Sequence, residues 1–198
     1  MRSQAHRLAA LLLTAVALAP AFAAEAVVDR ERRVFYVTAW VDAAAPAIEC
    51  YRVLTDFDRL AEFVPGIRSS RVVSRPGEMV RVEQIGITGP ALLGLTVRTT
   101  LGLSLTPPAP GYEGRIDFSS QGTGDLRQMF GAWQVRDEGN GCRIDYRATI
   151  EPDFAVPPLL GTFMMRLRVE DQLDAIAREI GRRQTLQPAP PTGVTPLP

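Results

Sequence analysis

The chain has 198 residues, with 22 acidic side chains balanced by 22 basic ones and a hydrophobic fraction of 46%, which suits one domain of about 150 residues with a substantial core. Every basic residue is arginine and the lone histidine is His6, so the chain beyond it has neither Lys nor His. That excludes a Ser-His-Asp or Cys-His nucleophile, a His-liganded zinc, a Walker lysine and a Schiff base, while arginines scattered among carboxylates argue against nucleic acid as a partner.

At the start of the chain, Arg2 and Arg7 precede the apolar run LAALLLTAVALA, and Ala21, Phe22 and Ala23 form an A-x-A site. This reads as a signal peptide over residues 1–23, cleaved near Ala23, which predicts a periplasmic or secreted protein. The run is too short to cross a bilayer comfortably and no second candidate follows, so no transmembrane segment is expected in the mature chain. Losing two arginines with the leader leaves a charge of about −2 at neutral pH.

Residues 31–41 (ERRVFYVTAWV) predict a first strand, in which Phe35, Val37, Ala39 and Val41 alternate with Tyr36, Thr38 and Trp40. Helical spacing takes over across residues 46–57, where Pro46 suits the first turn and Ile48, Tyr51, Val53 and Leu54 supply an apolar side. Asp58 is placed to cap a second short helix, DRLAEF, which Pro65-Gly66 ends. Strands follow over residues 67–74 and 79–85, joined by the hairpin signal Arg75-Pro76-Gly77-Glu78. Residues 92–105 form a long strand with Leu93, Leu95, Val97, Thr99, Leu101, Leu103 and Leu105 on one face and Thr96, Arg98, Thr100 and Ser104 on the other. Gly94 and Gly102 would ease its bend.

Further strands are predicted over residues 112–118, 126–136 and 143–150, the last two separated by the turn Glu138-Gly139-Asn140-Gly141. In MFGAWQV, period two groups Met129, Gly131, Trp133 and Val135. A long helix is predicted over residues 157–184: apolar groups surround its first half, then narrow to Val169, Leu173, Ile176 and Ile180. Residues 187–198, rich in proline, are expected to be a disordered tail, leaving residues 24–186 as the domain.

Acid–base candidates are limited to Asp, Glu and Tyr, and the carboxylates fall mostly at turns or on outward faces: Asp145 and Arg147 share the face opposite Ile144, Tyr146 and Ala148. No catalytic set, metal site or cofactor motif emerges. Cys50 and Cys142 are the only cysteines. Antiparallel neighbouring of the first and last strands would bring Cys50, one turn into the first helix, near Cys142; a disulfide and two free thiols are both open readings. The Met and aromatic side chains on inward alternations suit an irregular greasy ligand, yet they equally fill an ordinary core.

The order strand, two short helices, several strands and long C-terminal helix resembles the helix-grip fold of the START-like (SRPBCC) superfamily, which includes the polyketide cyclase/dehydrase and lipid-transport group and the coenzyme Q-binding START proteins. The resemblance rests on VDAAAPAIECYRVLTDFDRLAEFVPGI, on MFGAWQV and on RIDYRATIEPDFAVPPLLG, and spans roughly residues 34–183. It implies an α+β fold in which a curved antiparallel sheet of about seven strands wraps on the long C-terminal helix, with two short helices after the first strand. It also implies an apolar cavity that different members use for lipids, quinones, sterols or polyketides.

The expected ligand-binding residues are Phe57 and Phe63 in the helical elbow; Val82, Gln84, Leu95, Val97, Arg98, Phe118, Met129, Trp133 and Tyr146 on strands; and Phe154, Phe163, Met164 and Leu167 at the long helix. Gln84, Arg98 and Tyr146 are the candidates to orient a polar head. The expected function is that of a periplasmic, non-enzymatic carrier of a hydrophobic small molecule, lipid-like or isoprenoid/quinone-like, with no cofactor and with transient membrane contact. Two alternatives stand beside it. One is a cyclase/aromatase-type enzyme using the same cavity; the other is an interaction module with a filled core, presenting Tyr36 and Trp40 to a protein partner.

Overall fold

A computed structural model describes residues 23–88 and 94–186. The leader expected over residues 1–23 therefore falls almost wholly outside the described residues, as do Leu93 and the Pro-rich tail. Eight antiparallel strands form one sheet: β1 (Glu25–Glu31), β2 (Val34–Ala43), β3 (Ile67–Ser74), β4 (Met79–Thr88), β5 (Leu95–Thr106), β6 (Gly114–Gly124), β7 (Leu126–Asp137) and β8 (Cys142–Pro152), in the spatial order β1-β2-β8-β7-β6-β5-β4-β3. The helices are α1 (Ala47–Leu54), α2 (Leu60–Phe63) and α3 (Pro158–Leu186), with a single 3₁₀ turn over Phe57–Arg59 leading into α2.

The sheet has one strand more than the sequence suggested. The extra strand is β1, whose inward groups are only Ala26 and Val28, so its alternation is too faint to see beside the leader. It pairs with β2 through a tight turn in which Arg32 takes a φ of 54°, the only positive φ outside glycine among the described residues. The backbone N–H of Ala24 also donates to Asp174 Oδ1 at 2.7 Å, tying the strand's entry to α3.

Asp58 departs from its expected role. It does not cap the second helix; its Oδ1 accepts from the backbone N–H of Val72 at 2.7 Å, pinning the elbow to β3. Helix α1 has no side-chain cap of its own, and Ala47 N–H instead donates to Asp137 Oδ1 at 3.0 Å. Distant carboxylates thus do what local capping would do elsewhere.

Cys50 and Cys142 are joined by a disulfide across a sequence separation of 92 residues. The bond forms where β2 and β8 are neighbours, with Ala43 opposite Cys142, and it fastens α1 to the centre of the sheet. The core runs along the inner face of β2, β8 and β7, with Phe35, Val41, Ile144 and Val135 fully buried, and is closed by Leu173 and Ile180 of α3. Interruptions of register between β5 and β6 and between β7 and β8 bend the sheet around the helix.

Candidate functional site

The second half of α3 determines how the helix sits. Helix α3 packs on β1, β2 and α1, and its apolar stripe, Val169, Leu173, Ile176 and Ile180, is buried. The other half of the sheet, β4 to β7, curves away from the helix and is bridged at one end by the elbow. A cavity of about 270 Å³ remains between them, near the lower end of the ~300–1,000 Å³ range of small-molecule sites.

Strand alternation supplies most of the wall. Val82 on β4, Val97, Thr99, Leu101 and Leu103 on β5, and Ile116 and Phe118 on β6 all face in, because period two sends every second side chain to the concave side. Met129, Trp133, Tyr146 and Ile150 continue it across β7 and β8, while Leu54, Phe57, Leu60 and Val64 close it from the elbow. Trp133 and Tyr146 are register partners with ring centroids 4.3 Å apart, and Phe118 stacks on Tyr146 at 5.9 Å with an interplanar angle of 14°. Burial pushes the Tyr146 phenol up, so it stays protonated at any physiological pH.

Apart from Tyr146 and Thr99, polar side chains on the wall are few. Gln84 Nε2 donates to Ser70 Oγ at 3.3 Å, and Gln172 Nε2 donates to the Pro65 carbonyl at 3.3 Å. Arg168 is the one charged side chain on the wall among the described residues. It lies against Gly66, where a Cβ would come within 2.6 Å of its Nη1. Gly66 also has a φ of 81°, a left-handed conformation that disfavours any other residue. Among the described residues no cluster of three or more His, Cys, Asp or Glu is placed to hold a metal ion.

Of the residues expected from the sequence, Phe57, Val82, Gln84, Val97, Phe118, Met129, Trp133, Tyr146 and Phe154 are brought together on the cavity wall. Six are not. Leu95 lies beyond the wall and is 50% exposed. Arg98 points to the convex face, as its place between Val97 and Thr99 requires, and its backbone N–H is held by Asp125 Oδ2 at 2.7 Å. Phe63 is half-buried against the core but off the cavity wall, under the Arg183 guanidinium, 5.7 Å from the ring centroid.

Phe163, Met164 and Leu167 are not on the wall: Phe163 and Leu167 are exposed, at 51% and 37%, and Met164 flanks the inward arc of α3. Their places are taken by Met165, Arg168, Val169 and Gln172. An all-round apolar segment does not reveal which arc faces in, but extending the Val169–Leu173 stripe back one turn reaches Met165. The premise of a filled core also fails, since the space between sheet and helix is open; Tyr36 and Trp40 remain on the outer face, Trp40 beneath Arg143 at 5.5 Å.

Comparison with known proteins agrees with this geometry. The family model for polyketide cyclase / dehydrase and lipid transport matches residues 43–177. Among solved structures, the chain is similar to a STAR-related lipid transfer protein fragment from Xanthomonas axonopodis (TM-score 0.66, 11% identity, covering 80% of this chain and 94% of that one). It is similar to human STARD10 (TM-score 0.63, 15% identity, 82% and 73%) and to the Zhui aromatase/cyclase from Streptomyces sp. R1128 (TM-score 0.61, 19% identity, 76% and 96%). At these identities the likeness is one of fold. No curated protein sequence matches the chain.

Proposed function

The chain belongs to the polyketide cyclase/dehydrase and lipid transport family, and from that premise we propose that it is a non-enzymatic periplasmic carrier of a lipid or an isoprenoid/quinone-like molecule. Family and fold fit a hydrophobic ligand-binding protein of the START/polyketide cyclase type. The observation that carries the proposal is the apolar cavity between the sheet and α3, whose wall offers Arg168, Gln84, Gln172, Tyr146 and Thr99 as its principal polar side chains. Affinity would come from burying the ligand's apolar surface at roughly 25 cal/mol per Å².

Export is supported by the leader-like first residues and by the disulfide, which persists in an oxidising compartment. Leu160, Phe163 and Leu167 form an exposed apolar row on the outer face of α3, which supports transient membrane contact during loading.

One observation favours the alternative, a cyclase-type enzyme: Tyr146 is an ionisable group buried in the cavity wall. Its shift carries it away from neutrality rather than toward it, the wrong direction for a general base. Native mass spectrometry of protein purified from its own periplasm tests the carrier reading. Bound lipid and uptake of a fluorescent fatty-acid probe are expected; an empty protein that takes up no probe overturns it.

A further inference from the structure

Five arginines of the described residues are half-buried, and four of them have partners. Arg30 donates to the carbonyls of Val156 and Pro157; Arg136 and Arg143 pair with Asp145 at 2.9 and 3.6 Å; Arg183 pairs with Asp56 at 2.7 Å. Arg168 has no ion pair or hydrogen bond there. Every Asp and Glu of the chain lies within the described residues, so no side-chain carboxylate comes within 4.0 Å of it. Glu170, two residues along the helix, is directed to Arg166, at 3.9 Å.

A guanidinium partly withdrawn from water without a counter-charge is unfavourable by itself. Here it stands on the wall of a mostly apolar cavity with no other charged lining group among the described residues, beside the Pro65-Gly66 turn and the Gly86–Ile87 stretch of β4. Gly66, with no side chain, leaves the guanidinium room that any other residue would take. The arrangement is a long apolar wall with one unmatched positive charge at its rim, and it is complementary to an amphiphile with a single acidic head.

We infer that Arg168 is the head-group anchor of this cavity and that its ligand is a single-chain anionic amphiphile, carrying a carboxylate or a phosphate monoester. The chain lies along Leu101, Leu103, Phe118 and Trp133, and the head meets Arg168 beside Gly66. A cavity of about 270 Å³ favours one chain over two, being at the small end of such sites. Guanidinium geometry suits both acids, each of which can accept two parallel N–H bonds.

The inference rests on the carrier reading, and the test separates the two. Wild type, Arg168→Gln, Arg168→Lys and Arg166→Gln are titrated with hexadecanoate, hexadecyl phosphate and hexadecanol, with thermal melting as the check on folding. Wild type should prefer one or both anions over the alcohol by about tenfold or more. Arg168→Gln should remove the preference while leaving hexadecanol binding in place, Arg168→Lys should restore part of it, and Arg166→Gln should not alter it. The better-bound anion identifies the source of the acidic head. Equal binding of anion and alcohol by wild type, or a preference that survives Arg168→Gln, overturns the inference and leaves the carrier reading standing. Failure of wild type to bind any of the three removes both.

Discussion

Trp133 and Tyr146 face each other across β7 and β8 with ring centroids 4.3 Å apart, and both line the cavity. The only other tryptophan, Trp40, stands on the outer face of β2 beneath Arg143. One fluorophore therefore reports on the interior and the other on the exterior.

Ligand entry is expected to change Trp133 emission. Wild type and Trp40→Phe should respond alike in a titration followed at the tryptophan band, and Trp133→Phe should be silent. The same Trp133→Phe change should weaken binding by less than about tenfold, since an aromatic pair contributes ~0.5–1.5 kcal/mol beyond its area. A full response from Trp133→Phe would place the ligand elsewhere.

Val97 lies half-buried on the β5 portion of the wall, so a larger side chain there can extend into open space rather than into packed core. Val97→Trp is expected to abolish uptake of a fluorescent fatty acid while changing stability by less than about 1.5 kcal/mol. Thermal melting and probe titration on the same sample check both halves of this expectation.

The disulfide closes a loop spanning a sequence separation of 92 residues. Replacing both Cys50 and Cys142 by Ala should lower stability by about 2–5 kcal/mol, the usual cost of removing a native disulfide from a small domain. Urea unfolding with and without reductant measures it. The double variant should be insensitive to reductant, and wild type under reductant should approach it.

Glu179 is buried on α3 between Arg182 and Arg183, and Arg183 continues to Asp56 in the elbow. Its hydrogen bonds, that from Arg182 foremost, hold the carboxyl down at about 2 against an ordinary 4.5. A lowered folded value means the carboxylate's stabilisation is fully present above pH 4.5 and is lost as pH falls toward 2. Discounted for solvent screening, it is about 1 kcal/mol, or some 2–4 °C in melting temperature. Glu179→Gln should melt that much lower at pH 7 and show a flatter acid limb between those two pH values in scanning calorimetry.

Apart from β1, the order of strands and helices, the long β5 and the inward faces of β5 to β8 were legible in the sequence because strand alternation is a local property: Val97, Phe118, Trp133 and Tyr146 follow from period two once the strands are placed. The elbow and its Pro65-Gly66 stop were legible for the same local reason. What the chain's own pattern could not decide was the rotation of the first half of α3, where apolar groups occur on every side, so Phe163, Met164 and Leu167 looked as eligible as Met165. The packing of α3 against β1, β2 and α1 chose the arc, and so put Arg168 on the wall. Two further features also depended on the fold: the pairing of Cys50 with Cys142, and the unmatched charge of Arg168. Each is a relation between residues far apart in the chain, whose distance is set only when a curved sheet closes on its helix.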